Sequence, residues 1–136
     1  MFSHIILGAR DIDMMIRFYS VILAELGFVR VQEELGGPAG QGWHIPGRRW
    51  PQFYVQIPVN GLWGNGTQVS FAVSSPQAVR HVWETALSLG AYDEGAPGLR
   101  PYYAADYYGA YCRDPEGNKL CFVYTPEFDN TIGGLA

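Results

Sequence analysis

An internal repeat constrains this chain more than any other feature. Offsetting the sequence by about 64 residues lays His4 in "SHIIL" on Gln68 in "TQVSF", Asp11 on Ser75, Met15 on Val79, Tyr19 on Trp83 and Leu23 on Leu87. Self-similarity at a fixed offset is the mark of a duplicated supersecondary unit. The expectation is one domain over residues 1–136 with two modules, 2–59 and 66–126. A chain of this size buries about two-thirds of its unfolded surface and needs no staples.

Each half opens on a short β-branched stretch followed by a punctuated helix. Asp11 is placed to cap the first helix, whose stripe is Ile12, Met15, Ile16, Tyr19, Leu23 and Leu26, and Gly27 supplies the left-handed stop. In the second half Ser75 caps, Pro76 occupies the first helical position and Gly90 ends the helix. Its buried stripe is Val79, Val82, Trp83, Ala86 and Leu87, which leaves Arg80, His81 and Glu84 to solvent. Strands are expected around 28–34, 43–47 and 52–58, and again around 92–95, 107–113 and 118–124. The result is β-α-β-β-β twice, an α+β fold. Residues 36–42 ("GGPAGQG") and 60–66 ("NGLWGNG") read as loops, the latter as the joint between halves.

The stretch "RDPEGNKLCFVY", 113–124, is specific enough to give a register. Pro115 suits the second position of a type I turn and Gly117 the left-handed residue after it, so Asp114 pairs with Asn118. Cys112 then faces Leu120 and Tyr111 faces Cys121. The two cysteines fall on opposite faces, which disfavours a disulfide, although a shift by one residue would bring them together.

Composition excludes several classes. The net charge is −4 and the nine Lys and Arg are scattered, so no basic face is available for a nucleic acid. No apolar run is long enough to span a bilayer, and "MFSHIILGAR" lacks the features of a leader. Two cysteines without a targeting segment point to a reducing cytoplasm. Nine Tyr, seven Phe and four Trp make the chain rich in aromatics.

The paired β-α-β-β-β, with "HIIL…D…FYSVILAELGF" in one half and "DPEGNKLCFVY" in the other, resembles the vicinal oxygen chelate superfamily: glyoxalase I, bleomycin-resistance and extradiol-dioxygenase type proteins. The resemblance runs from His4 to about Tyr124. It implies a curved, cup-like mixed sheet with metal ligands on the first and last strands of the halves. Carried over, those positions are His4, Ile57, Gln68 and Cys121; His4 matches the family pattern, position 68 is more often His or Glu, position 121 is usually Glu, and Ile57 has no donor. One imidazole, one neutral amide and one thiol suit no single ion. The expectation is therefore no cofactor, with a divalent Zn, Mn, Fe or Ni at His4, Gln68 and Cys121 as the alternative.

Without a metal the cup would remain, and its candidate lining is Trp43, His44, Trp50, Tyr54, Tyr107 and Tyr111, since aromatic walls suit a planar or apolar ligand. Gln68 and Cys121 join them as wall residues. In the Gly- and Pro-rich stretch 95–108, Arg100 is placed to meet a ligand carboxylate or phosphate, with Tyr103 beside it. Each of these also has an ordinary role: strand aromatics pack on general grounds, a buried Cys behaves as a small hydrophobe, and a loop Arg is commonly solvated. A nucleophilic Cys121 would need a neighbouring base such as His4. The resemblance implies a small-molecule binding protein of the resistance type, forming a homodimer. The competing readings are a metal-dependent lyase, isomerase or dioxygenase, and a ligand-free module whose cup is filled by its own side chains.

Overall fold

Helix caps and glycine turns punctuate the described residues, and the strands fall between them. The structure, a computed structural model, describes residues 2, 4–32, 39–57, 67–101 and 103–128. The expected joint at 60–66, residues 33–34 and 58 at two strand ends, residues 36–38 of the first glycine-rich loop, Tyr102 and the tail from 129 lie outside the described residues. The chain forms two compact units, Met1–Gly64 and Asn65–Ala136, each with the expected β-α-β-β-β order.

The first module comprises β1 (His4–Gly8), α1 (Ile12–Glu25), β2 (Val29–Arg30), β3 (Gly40–His44) and β4 (Gln52–Gln56). Its sheet runs β1-β4-β3-β2, with β1 parallel to β4 and the other pairs antiparallel. The Asp11 carboxylate accepts the Met14 N–H at 3.1 Å, as its position in the sequence implies. At the other end Gly27 (φ 87°) lets its own N–H reach the Ala24 carbonyl and that of Phe28 reach Leu23, which satisfies two orphan carbonyls at once.

The second module repeats the plan with β5 (Gln68–Ala72), α2 (Pro76–Ser88), β6 (Tyr92–Leu99), β7 (Tyr108–Arg113) and β8 (Lys119–Tyr124), in sheet order β5-β8-β7-β6. Ser75 Oγ accepts the Ala78 N–H at 3.0 Å, Pro76 opens the helix, and Gly90 (φ 99°) closes it with the same pair of bonds, to Leu87 and Ala86. Arg80, His81 and Glu84 are exposed as expected.

Core formation follows strand alternation. In the first module Leu7, Trp43, Phe53 and Val55 point to one face and meet Met15, Phe18, Tyr19, Ile22 and Leu23 of α1. The Tyr19 ring lies 4.8 Å from Phe53 and 6.1 Å from Trp43. Burial of each such ring is worth about 2–3 kcal/mol. The buried stripe of α1 is thus rotated from the expected one: Phe18 and Ile22 belong to it, whereas Ile12, Ile16 and Leu26 are only half-buried, because the sheet lies across that flank of the helix. In α2, Val79, Val82 and Ala86 are buried; Trp83 and Leu87 are half-buried, and the Trp83 indole donates to the Tyr111 carbonyl at 3.1 Å.

Two strands overrun their expected limits. The expected strand 43–47 instead begins at Gly40, and β6 continues through Pro97 to Leu99, with register shifts at Gly95 and Gly98. Glycine reads as loop in sequence, yet here it makes room for a neighbour. A Cβ on Gly42 would stand 2.7 Å from the Tyr54 ring, and one on Gly95 would stand 3.2 Å from Tyr111.

The turn at 114–118 has the geometry and register read from the sequence. Asp114 pairs with Asn118, Tyr111 with Cys121 and Cys112 with Leu120, and Gly117 is left-handed at φ 95°. Asp114 is fully buried; its carboxylate accepts the Glu116 and Asn118 N–H groups at 2.9 and 3.0 Å and the Asn118 side-chain amide at 2.7 Å. Both cysteines are free and buried. Among the described residues no helix is long and apolar enough to cross a membrane.

Candidate functional site

Turning one face of the first sheet to α1 leaves the alternate residues on the other. His4 and Ile6 of β1, Gly42 and His44 of β3, and Gln52, Tyr54 and Gln56 of β4 share that open face, because His4 pairs with Gln52, Ile6 with Tyr54 and Gly42 with Tyr54. A cleft of about 630 Å³ stands over it, within the size range of small-molecule sites. Its floor is Ile6, Tyr54, Gln52 and Gln56; its rim is the β3–β4 connection with Gly47, Arg48, Arg49 and Trp50.

That connection is held by its own bonds. The Arg48 N–H donates to the Ile45 carbonyl at 3.1 Å, Gly47 takes φ 82°, and His44 Nδ1 lies 2.7 Å from the Arg48 carbonyl. A carbonyl only accepts, so the proton of this bond sits on Nδ1. The Trp50 indole, half exposed, is flanked by the Arg49 guanidinium at 5.5 Å and by the His4 ring at 6.0 Å.

The open face of the second sheet is built differently. Gln68 and Ser70 of β5, Lys119 and Cys121 of β8 and Tyr111 of β7 share it, with Gln68 opposite Lys119 and Ser70 opposite Cys121. The Gln68 amide donates to Ser70 Oγ at 2.9 Å. The Tyr107 hydroxyl lies 3.3 Å from that of Tyr111 and 3.5 Å from Cys121 Sγ. Burial raises the pKa values of Tyr107, Tyr111 and Cys121, and for the thiol it outweighs the opposing hydrogen bonds from Tyr107, Tyr111 and Ser70. Cys121 is therefore a neutral, fully buried thiol at physiological pH and a poor nucleophile.

The structure thus separates the candidates read from sequence. His4, His44, Trp50 and Tyr54 line the first module's cleft. Trp43 does not: it is next to His44 on the strand, points to the opposite face, and is 1% exposed beneath α1. Gln68, Tyr107, Tyr111 and Cys121 lie in the second module's polar cluster. Arg100 is turned inward by its neighbours, donating to the carbonyls of Ala96 at 2.8 Å and Leu99 at 3.3 Å with its guanidinium 5.7 Å from the Tyr111 ring. Tyr103 is 62% exposed and packs on Tyr107 at 5.1 Å. Arg48, Arg49, Gln52 and Gln56 went unread; the strict alternation of "QFYVQ" is the signal that places the glutamines opposite Phe53 and Val55.

The register also corrects one ligand position. Ile6 pairs with Tyr54 as Ser70 pairs with Cys121, so the first module's counterpart of Cys121 is Tyr54, and Ile57 lies just beyond β4 with 42% exposure. Among the described residues no three His, Cys, Asp or Glu side chains are grouped to hold a metal. The donor sets fit a divalent ion poorly within each module. In the first, His4 and His44 flank β4 with backbones about 10 Å apart by strand spacing. In the second, an amide and a neutral thiol stand beside the Lys119 ammonium, which opposes a cation.

Among solved structures, a glyoxalase/bleomycin resistance protein from Albidiferax ferrireducens T118 superposes with a TM-score of 0.75 at 30% identity, covering 92% of this chain and 98% of that one. The chain belongs to the glyoxalase/bleomycin resistance superfamily. Two further members share the fold: a glyoxalase/bleomycin resistance protein/dioxygenase family enzyme from Burkholderia phytofirmans PsJN (TM-score 0.71, 21% identity, 90% of this chain and 96% of that one) and a lactoylglutathione lyase from Agrobacterium tumefaciens (TM-score 0.63, 18% identity, 91% and 92%). No protein-family model matches the sequence, and no curated protein does. The superfamily fold is thus common to a lyase and to resistance-type proteins, and the open-face residues must decide between them.

Proposed function

We propose that this superfamily member binds a small planar or aromatic molecule on the open face of its first module, without the family metal. The observation that carries the reading is the cleft over β1, β3 and β4: a Tyr54 floor, an indole at the edge and amide groups for orientation. Apolar area with a few polar groups is the usual composition of a small-molecule site. The chemistry of the ligand positions supports it as well. Tyr54 and a neutral Cys121 thiol stand where the modules correspond, and Lys119 faces Gln68.

Two measurements test the proposal. Elemental analysis of untagged protein, before and after incubation with Zn, Mn, Fe and Ni salts, is expected to give far less than one ion per chain. Titration with the aryl sulfonate 1-anilino-8-naphthalenesulfonate is expected to give saturable fluorescence enhancement that weakens about tenfold in Trp50→Ala, given the 1–3 kcal/mol a stacked aromatic contact supplies. One tightly held ion per chain, lost in both His4→Ala and Cys121→Ala, would instead establish the metal-dependent lyase or dioxygenase reading.

A further inference from the structure

Among the described residues, the side chains that line the cleft are opposite in charge to the protein as a whole. The chain carries thirteen Asp and Glu against nine Lys and Arg, yet the described residues lining the cleft include Arg48, Arg49, His4 and His44 and no carboxylate. Among the described residues neither Arg48 nor Arg49 makes an ion pair, and both are exposed. Two unneutralised guanidiniums on a net-negative surface form a local positive field at the mouth of a concave site.

Their placement is built rather than incidental. Strand β3 ends in His44, whose Nδ1–H holds the Arg48 carbonyl, and the Ile45–Arg48 turn closes on the left-handed Gly47. The backbone carrying Arg48, Arg49 and Trp50 is thereby fixed to the sheet whose open face is the floor. Arg49 already lies against the half-exposed Trp50 ring, an arrangement that leaves the guanidinium's N–H fork available for a planar anion beside the indole. Gln52 and Gln56 on β4 supply neutral donors on the floor of the cleft.

From this geometry we infer that the ligand is an aromatic anion, with its carboxylate or equivalent planar oxyanion on Arg48 and Arg49 and its ring between Trp50 and the Tyr54 floor. The inference rests on the binding reading of the same cleft and adds the ligand's charge. It excludes cationic aromatic ligands, which this rim repels.

A charge series on one ring system separates the two claims. Calorimetric titration of the full chain with 2-naphthoate, 2-naphthamide and 2-naphthylmethylammonium is expected to show the carboxylate binding at least about tenfold more tightly than the amide, with the ammonium weakest and the preference shrinking as salt is raised. The double variant Arg48→Gln, Arg49→Gln, at exposed positions that leave the core untouched, is expected to weaken the carboxylate about tenfold and the amide less than about twofold. Equal affinity for all three probes would overturn the charge assignment while leaving the planar-ligand reading in place. A carboxylate preference that persists in the double variant would overturn the assignment to this rim. Failure of every probe to bind would sink both.

Discussion

Gly40 and Gly42 lie on the same face of β3, two residues apart, and adding a methyl group to each should have different consequences. Neither has a positive φ, so the effect of alanine is spatial. A Cβ on Gly40 would stand 2.5 Å from the Val55 carbonyl oxygen and 2.8 Å from Gln56 Cβ, where only movement of a strand gives relief. On Gly42 it would stand 2.7 Å from Cε2 and Cζ of Tyr54, the far end of a side chain that faces the cleft. Carbon contacts settle at roughly 3.5–4.0 Å, so the Tyr54 ring must withdraw by about 1 Å into the cleft. Gly40→Ala should cost about 2–3 kcal/mol, in the upper range for overpacking, and Gly42→Ala about 1 kcal/mol. At about 4 °C per kcal/mol for a chain of this size, the melting temperature falls by about 8–12 °C and about 4 °C respectively. Denaturant titration and thermal melts on both variants, repeated in a Tyr54→Ala background, form the test. With the ring gone, Gly42→Ala should become stabilising by about 0.5 kcal/mol, since alanine loses less backbone entropy than glycine. Gly40→Ala should remain as costly as before. The same cost for Gly42→Ala in both backgrounds would refute the claim that this glycine exists to seat Tyr54.

Other outcomes follow from the second module. Asp114→Ala removes a fully buried acceptor for three N–H donors of a half-buried turn, and should cost about 2–3 kcal/mol by chemical denaturation; Asp114→Asn, which keeps one oxygen, should cost less. Cys112 and Cys121 should both resist a thiol reagent such as 5,5′-dithiobis(2-nitrobenzoate) in native protein at neutral pH and react together on unfolding. Burial, reinforced by the Asp114 carboxylate, pushes the Cys112 thiol from 9.0 up to about 12. The folded state thus favours the neutral thiol: its contribution to stability is complete below pH 9 and is lost as the pH rises from 9 towards 12. Melting temperature measured across that window should fall, and fall less in Cys112→Ala.

Local chemistry determined much of this protein from sequence alone. Asp11, Ser75, Pro76, Gly27, Gly90 and the 114–118 turn act through bonds to residues a few positions away, so their roles and even the pairing of Tyr111 with Cys121 follow without any knowledge of the fold. The duplicated plan was legible for the same reason, since each copy carries its own punctuation. What lines the site was not. Trp43 and His44 are adjacent, and only the position of α1 decided that the indole is core and the imidazole faces the cleft. Glycines in β3 and β6 read as loop because the reason for them, the rings of Tyr54 and Tyr111, sits on a neighbouring strand. The parallel pairing of β1 with β4 made Tyr54 rather than Ile57 the counterpart of Cys121, and laid Ile6 beside Tyr54 as the floor of the cleft. Such relations join residues distant in the chain, and tertiary packing alone fixes which of them meet.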